Sequence, residues 1–168
     1  MNFQILDIDH VVIRAANLDT MTRFYRDVLG CPVEKWQEEL GLLQLRAGSA
    51  LIDLVTLDGK LGREGGAGPG AEGHNLDHFC LRLSRFDEPS LRAHLAAHGV
   101  EVGETVQRYG AEGDGPSIYI QDPDGNTVEL RHYGGRVHER AARVGIVQPG
   151  QRNARRVGRQ GRQAGSLL

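Results

Sequence analysis

Residues 8–19 read IDHVVIRAANLD, and residues 76–87, sixty-eight positions later, read LDHFCLRLSRFD. Aspartate, histidine, arginine and a closing aspartate recur in the same slots, with apolar residues between them. HVVIRA (10–15) is a short apolar run rich in β-branched residues and reads as a strand. NLDTMTRFYRDVLG (17–30) follows as a helix: Asp19 is placed to cap it, Met21, Phe24, Tyr25 and Val28 form an apolar stripe, and Gly30 stops it. PVEKWQEE, GLLQLRAG and SALIDLVTL supply three further strands, with Gly41 and Gly48 as turns. The unit is βαβββ.

The same order restarts after the repeat. LDHFCLRL reads as a strand, and EPSLRAHLAAHG reads as a helix with Pro89 in its first turn and Gly99 at its end. VEVGETVQRYG, GPSIYIQD and NTVELRHY complete a second βαβββ unit. The last two are joined by DPDGN, where proline presets φ and glycine accepts a positive one. Between the units, residues 58–75 (DGKLGREGGAGPGAEGHN) are too rich in glycine to predict a packed element, so they read as a linker or a flap. The expected organisation is one α+β domain over residues 4–133. Module 1 covers about 4–57, the glycine-rich linker 58–75 and module 2 about 76–133, the two modules curving around a cleft.

Composition narrows the class. The 168 residues include 39% hydrophobic and 25% charged, the balance of a soluble globular domain. No apolar run approaches the ~20 residues of a membrane span, and the N-terminus carries no signal pattern, so a cytoplasmic address is expected. Cys31 and Cys80 form no metal or redox motif and read as buried free thiols. Residues 134–168 hold eight arginines and one acidic residue, whereas 1–133 carry 12 basic and 21 acidic residues. That arginine-rich tail predicts a disordered, solvated appendage, with nucleic acid not expected as a partner.

Four residues stand in matched slots. His10 and His78 occupy the first strand of each unit, and Asp53 and Glu129 occupy the last. A carboxylate inside ALIDLV or NTVELR is costly unless a partner charge or a metal compensates its desolvation. Two imidazoles and two carboxylates make a mixed N/O donor set that suits one divalent Zn, Ni, Co, Mn or Fe ion. Taken singly each has a plainer reading: half-buried strand-end histidines, an edge-strand Asp53 facing solvent, and Glu129 paired with Arg131 or Arg14. Strand alternation puts His10, Val12 and Arg14 on one face.

With these residues in view, the chain resembles the vicinal oxygen chelate superfamily, which includes glyoxalase I, methylmalonyl-CoA epimerase, fosfomycin- and bleomycin-resistance proteins and extradiol dioxygenases. The resemblance covers about residues 4–133 and is carried by DHVVIRAANLDTMTRFYRDVLG, LDHFCLRL and SIYIQDPDGNTVEL. It implies that His10, Asp53, His78 and Glu129 bind one metal, with Asp53 departing from the Glu or Gln more usual in that slot. It further implies that Arg14, spaced from His10 as in glyoxalase I, anchors a carboxylate of glutathione; Arg82 repeats it, so the arginine also fits a scaffold role. Tyr109, Ser117 and Tyr119 are expected to line the pocket, and 107–117 to form a surface loop or flap.

The leading expectation is a glyoxalase I-like enzyme, a lactoylglutathione lyase, moving a proton through a metal-stabilised enediolate, with Glu129 as base and Asp53 as its complement. An extradiol-type ring-cleaving dioxygenase using His10, His78 and Glu129 is the alternative. A bleomycin-resistance-like protein that sequesters a small molecule is a third. The resemblance also implies a homodimer, with the cleft inside one chain or across two.

Overall fold

The structure is a computed structural model that describes residues 4–133; the expectation of a disordered 134–168 tail lies outside the described residues. Each module is βαβββ. Module 1 contains β1 (His10–Ala15), α1 (Leu18–Arg23), β2 (Val33–Gln37), β3 (Leu42–Ala47) and β4 (Ala50–Thr56). A short α2 (Lys60–Glu64) follows, and module 2 contains β5 (His78–Arg82), α3 (Glu88–Ala97), β6 (Val106–Gly110), β7 (Gly113–Gln121) and β8 (Thr127–Arg131). The sheets have the orders β1-β4-β3-β2 and β5-β8-β7-β6, so topology repeats as the sequence does. In each, the first strand runs parallel to the last and lies at the sheet's edge.

Several local readings are revised. Asn17, not Asp19, caps α1: its side chain accepts from the Thr20 amide at 3.0 Å, while Asp19 sits in the first turn. The helix widens into a π-helical turn over Phe24–Val28, closed by Leu29 N donating to Phe24 O at 3.2 Å. Phe24 and Tyr25, both in the predicted stripe, face the core in edge-to-face contact at 5.2 Å. The glycine-rich 58–75 segment is not bare of structure. Gly62 in α2 passes so close to Thr56 that a Cβ there would run into its carbonyl oxygen. Residues 107–117 form most of the β6–β7 hairpin instead of a loop.

One apolar cluster spans both modules. Ile13, Ile52 and Leu54 of the first sheet join Ile118, Ile120, Val128 and Leu130 of the second, with Met21, Phe24, Tyr25 and Leu95 from the helices. All these strand residues lie on the helix-bearing faces of their sheets, so the opposite faces turn away from the shared core. Polar bonds tie the seam: Ala16 N donates to Asp124 at 2.6 Å, and Tyr25 Oη donates to Asp122 at 2.8 Å. No helix among the described residues is long and apolar enough to cross a membrane.

Asp122 is the centre of that seam. It is 4% exposed and accepts from Tyr25 and from the Asn126 amide and side chain. Burial raises its carboxyl above the ordinary 3.8 even though these bonds pull the other way. The folded chain therefore holds this proton more tightly than the unfolded chain, so stability is gained on acidification and lost as pH rises from about 4 through the elevated folded value. In Asp122→Asn this component of the pH dependence is expected to vanish from urea-unfolding free energies. An unchanged slope in the variant would refute the assignment.

Candidate metal centre

The site begins with the two Asp-His dipeptides. His10 Nδ1 bonds Asp9 Oδ1 at 2.7 Å, and His78 Nδ1 bonds Asp77 Oδ1 at 2.5 Å. A carboxylate accepts only, so each Nδ1 carries a proton and turns Nε2 toward the site; His78 Nε2 there faces a second carboxylate, that of Glu129. A carboxylate holding the far nitrogen is the usual support of a metal-ligating imidazole. Asp9 and Asp77, the first residues of the repeated DH pair, thus stand behind the two histidines. The Asp9 bond raises the His10 imidazole above 6.5, partly opposed by desolvation, with the charges of Asp53 and Asp9 adding less.

The acids stand in identical register. Val12 pairs with Asp53 on β4, and Cys80 pairs with Glu129 on β8, so each acid lies across from the residue two beyond its histidine. Both acids belong to strands flanked on both sides, and both are buried, at 4% and 5% exposure. Asp53 is thus no edge-strand residue. Its two oxygens accept from Gln44 Nε2 at 3.2 and 3.1 Å, and Gln44 accepts from Gln37 at 3.1 Å. Glu129 is held differently. Ser117 Oγ donates to its Oε1 at 2.5 Å, Arg131 lies 3.9 Å from the same oxygen, and Oε2 faces His78 Nε2 at 3.4 Å.

The four candidates fall into two sets, one per sheet: His78 Nε2 meets Glu129 at 3.4 Å, and Asp53 shares the face of His10 and acts on it by charge. Among the described residues, no group of three or more His, Cys, Asp or Glu side chains is placed to share an ion. The cause is the fold: each pair lies on the outward face of its own sheet. Each histidine sits on an unpartnered edge strand, and Val12 beside His10 is 48% exposed, preceded by exposed Ile5, Leu6 and Ile8. The donor set itself fits a divalent ion, with two oriented imidazoles and two buried carboxylates, each carboxylate beside an imidazole.

The other expected residues separate. Arg14 lies on the His10 face, but its guanidinium donates to four main-chain carbonyls of the glycine-rich segment: Gly62 (3.1 Å), Gly65 (3.1 Å), Gly66 (2.7 Å) and Ala67 (2.9 Å). It is occupied by the chain, not open to a ligand carboxylate. Its counterpart Arg82 pairs with Glu112 at the β6–β7 turn, which favours the scaffold reading of both arginines. Ser117 is fully buried and serves Glu129. Tyr119 stands edge-on to His78 at 5.8 Å. Tyr109 does not line the site: it pairs with Asp114, on the face opposite Ser117 and Tyr119, and is 81% exposed. Cys80 is also revised. It is exposed on the site face, while Cys31 alone is buried; desolvation, with Glu129 adding to it, pushes the Cys80 thiol up to about 11.

Comparison with known proteins agrees with this architecture. Residues 7–130 match the family model described as Glyoxalase/Bleomycin resistance protein/Dioxygenase superfamily. The chain is 31% identical over 131 residues to Virulence protein STM3117 of Salmonella typhimurium, covering 75% of this chain and 83% of that one. It is 35% identical over 127 residues to Glyoxalase domain-containing protein RDO1 of Mycosarcoma maydis, covering 75% and 68%. The crystal structure of STM3117 superposes with a TM-score of 0.65 at 28% identity, over 78% of this chain and 99% of the other. That of a lactoylglutathione lyase from Agrobacterium tumefaciens gives 0.55 at 22% identity over 75% and 92%, a likeness of fold. With its duplicated βαβββ modules and matched His–acid pairs, the chain belongs to the glyoxalase/bleomycin resistance protein/dioxygenase superfamily.

Proposed function

We propose that this chain is a metal-dependent enzyme acting on a small molecule with adjacent oxygens, its centre completed by a second copy of itself. The observation that carries this is the outward placement of two His–acid pairs in identical register on open sheet edges. Joining the β1 edge of one chain to the β5 edge of another would bring His10 and Asp53 to the partner's matching half-set and cover the exposed apolar residues beside His10.

The reaction we assign is proton transfer of the glyoxalase I kind. A divalent ion held by the two imidazoles and the carboxylates would supply Lewis acidity toward the substrate oxygens. Asp9 and Asp77 hold the rings by Nδ1, so that Nε2 is the nitrogen each would offer to the ion. Ser117 fixes one oxygen of Glu129, leaving Oε2 directed at His78 and available to take a proton from one carbon and return it to its neighbour. Tyr119 stands edge-on beside His78 at one side of the site.

Metal removal tests the reading. Protein loaded with Zn²⁺, Ni²⁺ or Co²⁺ is expected to convert the hemithioacetal of a 2-oxoaldehyde and glutathione, to lose turnover on chelation and to regain it on reloading. Full activity after chelation would overturn it. The engagement of both Asp53 oxygens by Gln44 Nε2 favours one rival, an Fe²⁺ dioxygenase that uses only His10, His78 and Glu129. O₂ uptake with a catechol, in place of hemithioacetal turnover, would select that reading.

A further inference from the structure

We propose a second metal site, on the helix side of module 2 and separate from the candidate centre: the imidazoles of His94 and His98, at the C-terminal end of α3, together bind one Cu²⁺, Ni²⁺ or Zn²⁺ ion. His94 lies in the last turn of α3 and His98 is its C-cap residue, and their ring centroids lie 4.5 Å apart. Nitrogens of rings that close can reach one ion at a bond length of ~2.1 Å.

The hydrogen bonds fix which nitrogens are available. His94 Nε2 lies 2.8 Å from the Val28 carbonyl oxygen, and His98 Nδ1 lies 2.9 Å from the carbonyl oxygen of His94. Carbonyl oxygens only accept, so each of those nitrogens is the N–H. The lone pairs are therefore on His94 Nδ1 and His98 Nε2. An imidazole with one nitrogen donating to a backbone carbonyl and the other free is the supported form of a ligating histidine. Both residues are exposed, and His98 borders a groove of about 950 Å³ together with Asp27 and Glu101, so an ion has an open approach.

The donor chemistry selects the metal. Two neutral nitrogens favour late first-row divalent ions, with Cu²⁺ bound most tightly, and offer little to Mg²⁺ or Ca²⁺, which take oxygen. Asp27 does not join as the geometry stands, because Arg26 holds both its oxygens at 2.6 and 2.7 Å. Water would fill the remaining positions. Since His94 also bonds Val28 at the end of the α1 turn, the ion would brace the contact between module 2 and module 1.

The test uses untagged full-length protein carrying His10→Ala and His78→Ala, which removes the candidate centre and keeps its failure distinct. Cu²⁺ titration followed by electron paramagnetic resonance is expected to show one ion per chain with coupling to two nitrogens. Adding His98→Gln should weaken binding by at least about tenfold and abolish the two-nitrogen pattern, whereas His74→Gln or His138→Gln should leave both unchanged. Thermal unfolding without metal checks that each variant is folded; His94→Gln serves as the second probe if His98→Gln is not. No Cu²⁺ binding in the doubly substituted background, or binding indifferent to both α3 histidines, would overturn the site.

Discussion

Mixing a His10→Ala chain with a His78→Ala chain is expected to restore turnover that neither has alone. Each variant spoils one half-set. In homodimers of His10→Ala every site lacks its module 1 imidazole, and in homodimers of His78→Ala every site lacks its module 2 imidazole. Each alone should fall by at least about 100-fold, because an ion held by one imidazole is both weakly bound and misplaced. In a mixed dimer the two lesions fall in the same site and the other site is whole. Random exchange makes about half the dimers mixed, each with one intact site of two, so about a quarter of wild-type turnover should return. A site contained within one chain would show no recovery at any mixing ratio.

Glu129→Gln is the second large effect. The amide keeps the size of the side chain and can still accept from Ser117, but it cannot take up a proton at the position of Oε2. Turnover of the hemithioacetal is expected to fall by about 10²- to 10⁴-fold with the ion still bound, the usual scale for loss of a general base. Ser117→Ala should cost less, about tenfold, since the carboxylate remains and only its orientation loosens. Unchanged kcat in Glu129→Gln would remove Glu129 from the chemistry and leave it a ligand at most.

The duplicated strand was legible because its chemistry is local. His10, Val12 and Arg14 alternate within six residues, and the same spacing recurs at His78. The buried acids were legible for a related reason, since Asp53 and Glu129 interrupt otherwise apolar strands. What could not be read is long-range. Which side of each sheet the helices cover, and hence that the pairs face outward, depends on packing between modules. The carbonyl partners of Arg14 come from 48 to 53 residues away, and nothing near Arg14 marks them. The π-helical turn is a shift of backbone bonding that leaves the apolar stripe of α1 intact. Met21, Phe24 and Tyr25 are buried as that pattern predicts, so nothing in it marks the turn. Tyr109 was misplaced by a smaller cause. An odd position on β6 faces away from the odd positions of β7, because Tyr109 pairs with Asp114 and not with Gly115.

On the proposed assembly, the open edges carrying His10 and His78 would tie two equilibria into one. If an ion is fully coordinated only where two chains meet, occupancy and self-association are reciprocal: whatever factor the ion adds to the affinity between chains, association adds to the affinity for the ion. Dilution would then act on the protein as a chelator does, and the concentration of the chain itself would set how much of it is competent.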